Sequence, residues 1–382
     1  MSRVDPTEQR QLRKEEIKGA VSATWHVDWS KFAVGPALRC VFGIGILLLA
    51  GLKFHNASAG VMASSGALTV GFGSFYRFRW SRSAPMLLAV LGISFSAFIS
   101  SIAEHTILGF ILVACCWAYF CGLLRTLGEG IWWISLQCVI FAIIASNFPV
   151  GFGNTVTRTL MVFGGGLVEA LSIMFFWRIE RLISRSADDA VDTIPFSVAA
   201  VRDSFRSFVS HLRDNLSPTT PVGRTALQLA VTVALAAAIS RLLPLHNGYW
   251  VPLTAVIVMT TDWRQTFTKG LARTAGTLAG GGLATLLAST LRPDPLVLVA
   301  LVVLFAFLSY LFLRVNYAIY AMFITAYVVF QLAGVGLPTA ELVPARVLAT
   351  VIGGALAIFL QFVWPTSGRE RHQRAGEGAE GA

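Results

Sequence analysis

Twelve apolar stretches recur along this chain, ten of them near the length a helix needs to cross a bilayer, and they constrain its fold more than any other feature. Six lie in the first half, at residues 32–52, 57–76, 85–101, 106–124, 131–146 and 158–177. Six more follow at 223–243, 248–261, 270–290, 295–313, 317–334 and 342–364, and only 131–146 and 248–261 are short. Together they cover 229 of 382 residues but hold seven of the 50 charged side chains. Lipid solvation demands such a partition, because a charge at the hydrocarbon midplane is costly. The chain therefore reads as an all-α polytopic membrane protein with about twelve transmembrane helices.

The net charge of +10 would suit nucleic-acid binding if the basic residues shared a folded surface. They do not: 22 of the 30 Lys and Arg fall on alternate loops and tails, Lys53 and Arg292 on the others, and six Arg within the stretches. This bias orients the chain with both termini cytoplasmic. The first 31 residues are charged and lack the apolar core of a cleavable signal peptide, so a multi-pass location in the plasma (cytoplasmic) membrane is expected, without nucleic acid as a partner. Five cysteines inside apolar runs point to neither a disulfide scaffold nor a zinc site.

Short matches lay one half on the other. Pro36 to Arg39 pairs with Pro221 to Arg224, His55-Asn56 with His246-Asn247, and Arg82 with Arg273. Arg158 followed by Gly165-Gly166 pairs with Arg346 followed by Gly353-Gly354. Two six-helix parallel repeats are expected, related by an axis along the membrane normal, with a binding interface between them. The organisation is a cytoplasmic tail (1–31), a first membrane repeat (32–177), a linker (178–222), a second repeat (223–365) and a disordered cytoplasmic tail (366–382). In the linker Phe196, Val201, Phe205, Phe208, Leu212 and Leu216 recur at helical spacing, which predicts an amphipathic helix on the cytoplasmic face. The lipid bilayer is one partner, and a second copy of the chain is another candidate.

The most informative stretch runs from His246-Asn-Gly-Tyr249-Trp250-Val-Pro252-Leu-Thr254 through Asp262 to Arg273-Thr-Ala-Gly276-Thr-Leu-Ala-Gly280. This pattern resembles the fusaric acid resistance and aromatic acid exporter family, over about 224–364. The first half echoes it only in helix count, Gly66 and Arg82. The resemblance implies a membrane exporter of aromatic carboxylic acids. From the residues themselves, Pro252 inside a short apolar segment is expected to break a helix and free carbonyls near Gly248, which lipid tolerates only beside protein or a wet cavity. Tyr249 and Trp250 suit either an aromatic ring or an interfacial belt, and Thr254 suits a carboxylate. Gly276 and Gly280 have the small-xxx-small spacing of close helix packing, expected to help hold the two copies together.

Arginine is the natural partner of a carboxylate, so Arg39, Arg158, Arg273 and Arg346 are candidate substrate contacts, with snorkelling the alternative for Arg39 and Arg273. Glu169, a lone acid at mid-helix, is a proton-coupling candidate, with Asp262 a second one that also suits a helix cap. No phosphate loop, nucleophile elbow or metal-ligand pair occurs, so neither an enzyme nor a cofactor or metal is expected. The leading expectation is a secondary transporter that exports small organic anions, driven by the proton gradient. The alternative is a passive anion channel, similar to the plant aluminium-activated malate transporters.

Overall fold

The computed structural model describes residues 19, 22, 24–78, 81–103, 106–147, 152–183, 198–243, 245 and 247–364. The charged N-terminal stretch before residue 19, the linker stretch 184–197 with Phe196, His246, and the tail expected to be disordered at 366–382 lie outside the described residues. Among the described residues the regular elements are helical, apart from an isolated bridge between Phe78 and Ser81. In the first half these are α1 (Val34–Arg39), α2 (Phe42–Lys53), α3 (Ala57–Gly73), α4 (Ala84–Ala103), α5 (Ile107–Leu124), α6 (Glu129–Ala145) and α7 (Phe152–Ile183). Then follow α8 (Val198–Asn215), α9 (Pro221–Leu242), α10 (Trp250–Val258), α11 (Trp263–Leu291), α12 (Pro295–Phe312), α13 (Tyr317–Ala333) and α14 (Thr339–Val363).

Among the described residues seven helical stretches are long and apolar enough to cross a membrane, counting α1 and α2 as one. The chain thus has the make-up of a polytopic membrane protein. Helices α3, α6 and α13 have 17 residues each and α10 has nine. Seventeen residues rise only about 26 Å, short of a hydrocarbon core of about 30 Å.

Several boundaries differ from the apolar pattern. The stretch 32–52 divides at Cys40 and Val41, where the Cys40 thiol donates to the Gly71 carbonyl (3.5 Å) and stands 3.3 Å from Ser74 Oγ. Helix α7 overruns 158–177 at both ends, through the partly polar, uncharged 152–157 and the charged 178–183. Helix α11 begins seven residues before 270, with Arg264 and Lys269 in the added turns. Polar and charged residues at helix ends extend a helix past its apolar part. The linker helix α8 packs through its half-buried His211, whose ring meets Thr126 Oγ1 at 2.9 Å and the Leu123 carbonyl at 3.2 Å. Tyr119 donates its hydroxyl to the Leu216 carbonyl beside it (2.5 Å). Phe205 and Val209 of α8 face outward.

The helices meet where glycine removes a side chain. A Cβ on Gly122 of α5 would stand 2.5 Å from Ala226 Cα of α9, and Gly66 of α3 and Gly165 of α7 each press on the other helix's backbone. The first helix of each half packs on the fourth of the other, α9 on α5 and α12 on α1 and α2. Beside the second contact the halves also meet at α3: Tyr310 of α12 donates to the Leu68 carbonyl at 2.6 Å, and Gln331 of α13 to Ser64 Oγ at 3.0 Å. Gly276 and Gly280 serve a different contact from the one expected: they seat α11 on α13, inside the second half. A Cβ on Gly276 would stand 2.5 Å from the Ala318 carbonyl oxygen, whereas one on Gly282 meets nothing within 4 Å. Gly276→Leu should therefore destabilise the detergent-solubilised chain by about 1–3 kcal/mol, the usual cost of overpacking. Gly282→Leu is the control, and its thermal midpoint should match that of the parent.

Candidate anion site and buried acid

The chain enters α10 through Asn247, whose φ of 55° is left-handed, a conformation asparagine tolerates better than most residues. A tight turn follows, with the Trp250 amide donating to Asn247 O (3.3 Å) and the Val251 amide to Gly248 O (2.9 Å). Pro252 thus lies in the first turn, where a helix needs no amide donor. The expected break is absent for this reason, and the Gly248 carbonyl is not left free.

That turn delivers Tyr249 and Trp250 into the interior, 4% and 3% exposed, so they form no interfacial belt. Their rings are 5.2 Å apart, and the Arg346 guanidinium lies 4.9 Å from the Trp250 ring centre. Such a contact is worth about 0.5–2 kcal/mol and holds the cation without neutralising it. Arg346 on α14 also lies within electrostatic reach of Arg273 on α11 and of Tyr320 on α13. Tyr320 is close to both arginines, and Tyr317 stands beside Arg273 without a formed hydrogen bond. Both guanidinium groups are buried, each Nε lacks a partner, and neither pairs with a carboxylate among the described residues. A buried, unpaired charge is costly, and a carboxylate arriving between them would offset that cost through paired N–H donors.

Other expected site residues are placed elsewhere. Thr254 packs against Gly353 of α14, where an added Cβ would stand 3.0 Å from the Thr254 Cβ. Arg39 pairs with Glu180 at the end of α7 and is therefore not a spare cation for substrate. Arg158 donates to the Ala145 carbonyl (2.9 Å) and Ser101 Oγ (3.2 Å), which binds α7 to α4 and α6. Asp262 caps α11, accepting from the Gln265 amide at 3.2 Å, so it is engaged in the helix start and not poised as a coupling acid.

Glu169 is fully buried, and neither carboxylate oxygen has a hydrogen-bond partner among the described residues. It faces the Ile44 amide without a formed bond. Room for it comes from Gly43 of α2, where a Cβ would collide with its carboxylate, and from Gly71 of α3. A Cβ on Gly71 would stand 3.2 Å from Glu169 Oε1 and would strike the Tyr310 hydroxyl. The Tyr310 ring packs on Phe72 (4.6 Å), and Phe72 on Tyr320 (5.9 Å). An aromatic row of Tyr310, Phe72 and Tyr320 thus lies between the acid and the arginine pair.

Residues 235–360, which carry Tyr249, Trp250, Arg273 and Arg346, match the model of the fusaric acid resistance protein-like family. Over this stretch the chain is similar to that family. An uncharacterised protein of Haemophilus influenzae is 32% identical over 146 residues, 38% of this chain and 20% of that protein. Inner membrane protein YccS of Escherichia coli is 31% identical over 160 residues, 40% of this chain and 21% of its own length. Uncharacterised protein ORF2 of Neisseria gonorrhoeae is 28% identical over 166 residues, 42% of this chain and 39% of its own. The matches thus span about a fifth to two fifths of the relatives' lengths. No solved structure matches the chain.

Tyr317 and Tyr320 were not singled out by the sequence, since tyrosine at a helix start reads as an interfacial anchor. The Glu169 pocket yields a coupling test. Gly43→Ala should lower the thermal stability of the solubilised chain, while the same change in a Glu169→Ala background should cost less, leaving only the 3.2 Å approach to the residue 169 Cα. A double-mutant cycle on unfolding should give a coupling of about 0.5–3 kcal/mol.

Proposed function

We propose that this chain is a secondary transporter of the cytoplasmic membrane that exports small organic anions, aromatic carboxylates above all, in exchange for protons. The observation that carries this reading is the Arg346 guanidinium held over Trp250, with Arg273 in reach and no acidic partner for either among the described residues. A carboxylate would take the arginines and its ring would lie along Tyr249 and Trp250. Glu169 would carry the proton, as an ionisable group buried among helices commonly does. The family match over 235–360 supports an export role, and the name of the E. coli relative supports an inner-membrane location.

Twelve crossings in two six-helix repeats, with both termini cytoplasmic, complete the reading. The reciprocal packing of first on fourth helices supports it, as does the segregation of basic residues. Export of a weak acid makes physical sense: the neutral form leaks inward through lipid, ionises in the cytoplasm and must leave as the anion.

The test is efflux of labelled 4-hydroxybenzoate from vesicles carrying the purified chain under an imposed proton gradient. Uphill efflux is expected, and currents that only follow the electrochemical gradient would replace the transporter by a channel. Arg346→Met should weaken substrate binding about tenfold or more, since a hydrogen bond to a charged group contributes about 1.5–3 kcal/mol. Lys53→Ala should leave binding unchanged. Glu169→Gln should bind substrate normally and lose the uphill component, and a mutant that still pumps would remove Glu169 from the mechanism.

A further inference from the structure

Four cations, Arg125 from the first half and Lys269, Arg273 and Arg346 from the second, mark one route. Lys269 and Arg273 are one turn apart on α11 and so share a face. Helix α14 runs antiparallel beside them: Gly270 faces Ile358, where a Cβ would meet the side chain at 3.0 Å, and Gly281 faces Val343 at 2.7 Å. Arg346, three residues beyond Val343, is therefore level with about residue 279 of α11. From Lys269 to that level is about 15 Å at the α-helical rise.

At the lower end of this row stands Arg125, between α5 and α6. Gly270, next to Lys269, packs on Val258 of α10, where an added Cβ would stand 3.4 Å from Val258 Cγ1. Val258 is one residue before the carbonyl that Arg125 holds, which brings the two cations within electrostatic reach. Arg125 donates to the Met259 carbonyl beyond α10 (3.3 Å) and its guanidinium lies 4.4 Å from the Trp132 ring centre. Lys269, by contrast, makes no hydrogen bond or ion pair with a described residue, although like charge faces it. Both are half-buried, so solvent reaches them. The neighbouring Thr126 carries the contact to His211 of the linker helix, which puts this pair at the linker end of the bundle. Two like charges within each other's field at the end of a row of cations are stabilised by an anion that approaches both.

We propose that Lys269 and Arg125 form a first binding station for a small monovalent anion, from which it passes along α11 through Arg273 to Arg346. This inference rests on the anion-transport reading and adds its entry point. The station takes a carboxylate group or a halide from solution. A phospholipid headgroup offers related chemistry and is the competing source.

Two measurements decide it. Crystals of the full chain, grown in zwitterionic lipid with bromide, should show anomalous density between Lys269 and Arg125 that disappears in Lys269→Met and persists in Lys269→Arg. No bromide there, or a headgroup phosphate in its place, overturns the station. Bromide at Arg346 reports separately on the proposed function, so the two can fail independently. In vesicles, Lys269→Met should raise the half-saturating benzoate concentration for efflux about tenfold, within the range of electrostatic focusing. Its maximal rate should stay within about twofold, and Lys269→Arg should restore the parent behaviour. An equal loss in both parameters, or no rescue by arginine, would make Lys269 a structural residue and sink the proposal.

Discussion

Helices inside lipid gain little from burying apolar side chains against one another, since the lipid tails are equally apolar. Close backbone approach takes over that role, and this structure depends on it. Gly66 and Gly165 bring α3 and α7 together, Gly122 brings α5 to α9, Gly276 and Gly280 bring α11 to α13, and Gly353 brings α10 to α14. The two charged features at the centre exist because these contacts fix the helices around them. Glu169 fits only because Gly43 and Gly71 lack a side chain. Arg346 meets Trp250 because Gly353, seven residues further along α14, lets the helix close on α10.

Acid and arginines are divided between the halves. The buried acid belongs to α7, and the arginine pair to α11 and α14. Arg158, which the sequence matches lay on Arg346, is bound to Ser101 and Ala145 O, and Arg82, laid on Arg273, lies over Trp177 at 4.1 Å. The aromatic row of Tyr310, Phe72 and Tyr320 lies between the two features, across the interface of the halves. A change of protonation at Glu169 would act on α12 through Tyr310, whose hydroxyl already binds the α3 backbone.

The helical class was legible in the sequence because lipid solvation acts on composition over whole stretches. Tyr249, Trp250, Arg273 and Arg346 were legible as well, through aromatic and charged residues where apolar ones are cheaper. What the sequence hid were ends and neighbours. Lys269 read as a loop residue because α11 was expected to start at Gly270, and only the helical continuation to Trp263 places it one turn below Arg273. Pro252 read as a breaker because nothing in the pattern showed that the helix begins at Trp250. The Glu180 partner of Arg39 lies 141 residues away in sequence, and no local periodicity encodes such a pair.

The shortness of α10 has an electrical consequence. Nine residues rise only about 14 Å, less than half the hydrocarbon thickness. If water enters from either end as far as the charged side chains, the membrane voltage drops across the narrow layer around Trp250 and Arg346. Carrying one charge across that layer then involves nearly the full electrical work, about 2.3 kcal/mol per 100 mV. An anion moving outward there is assisted by a negative-inside potential, and the voltage becomes a driving force felt chiefly at one short helix.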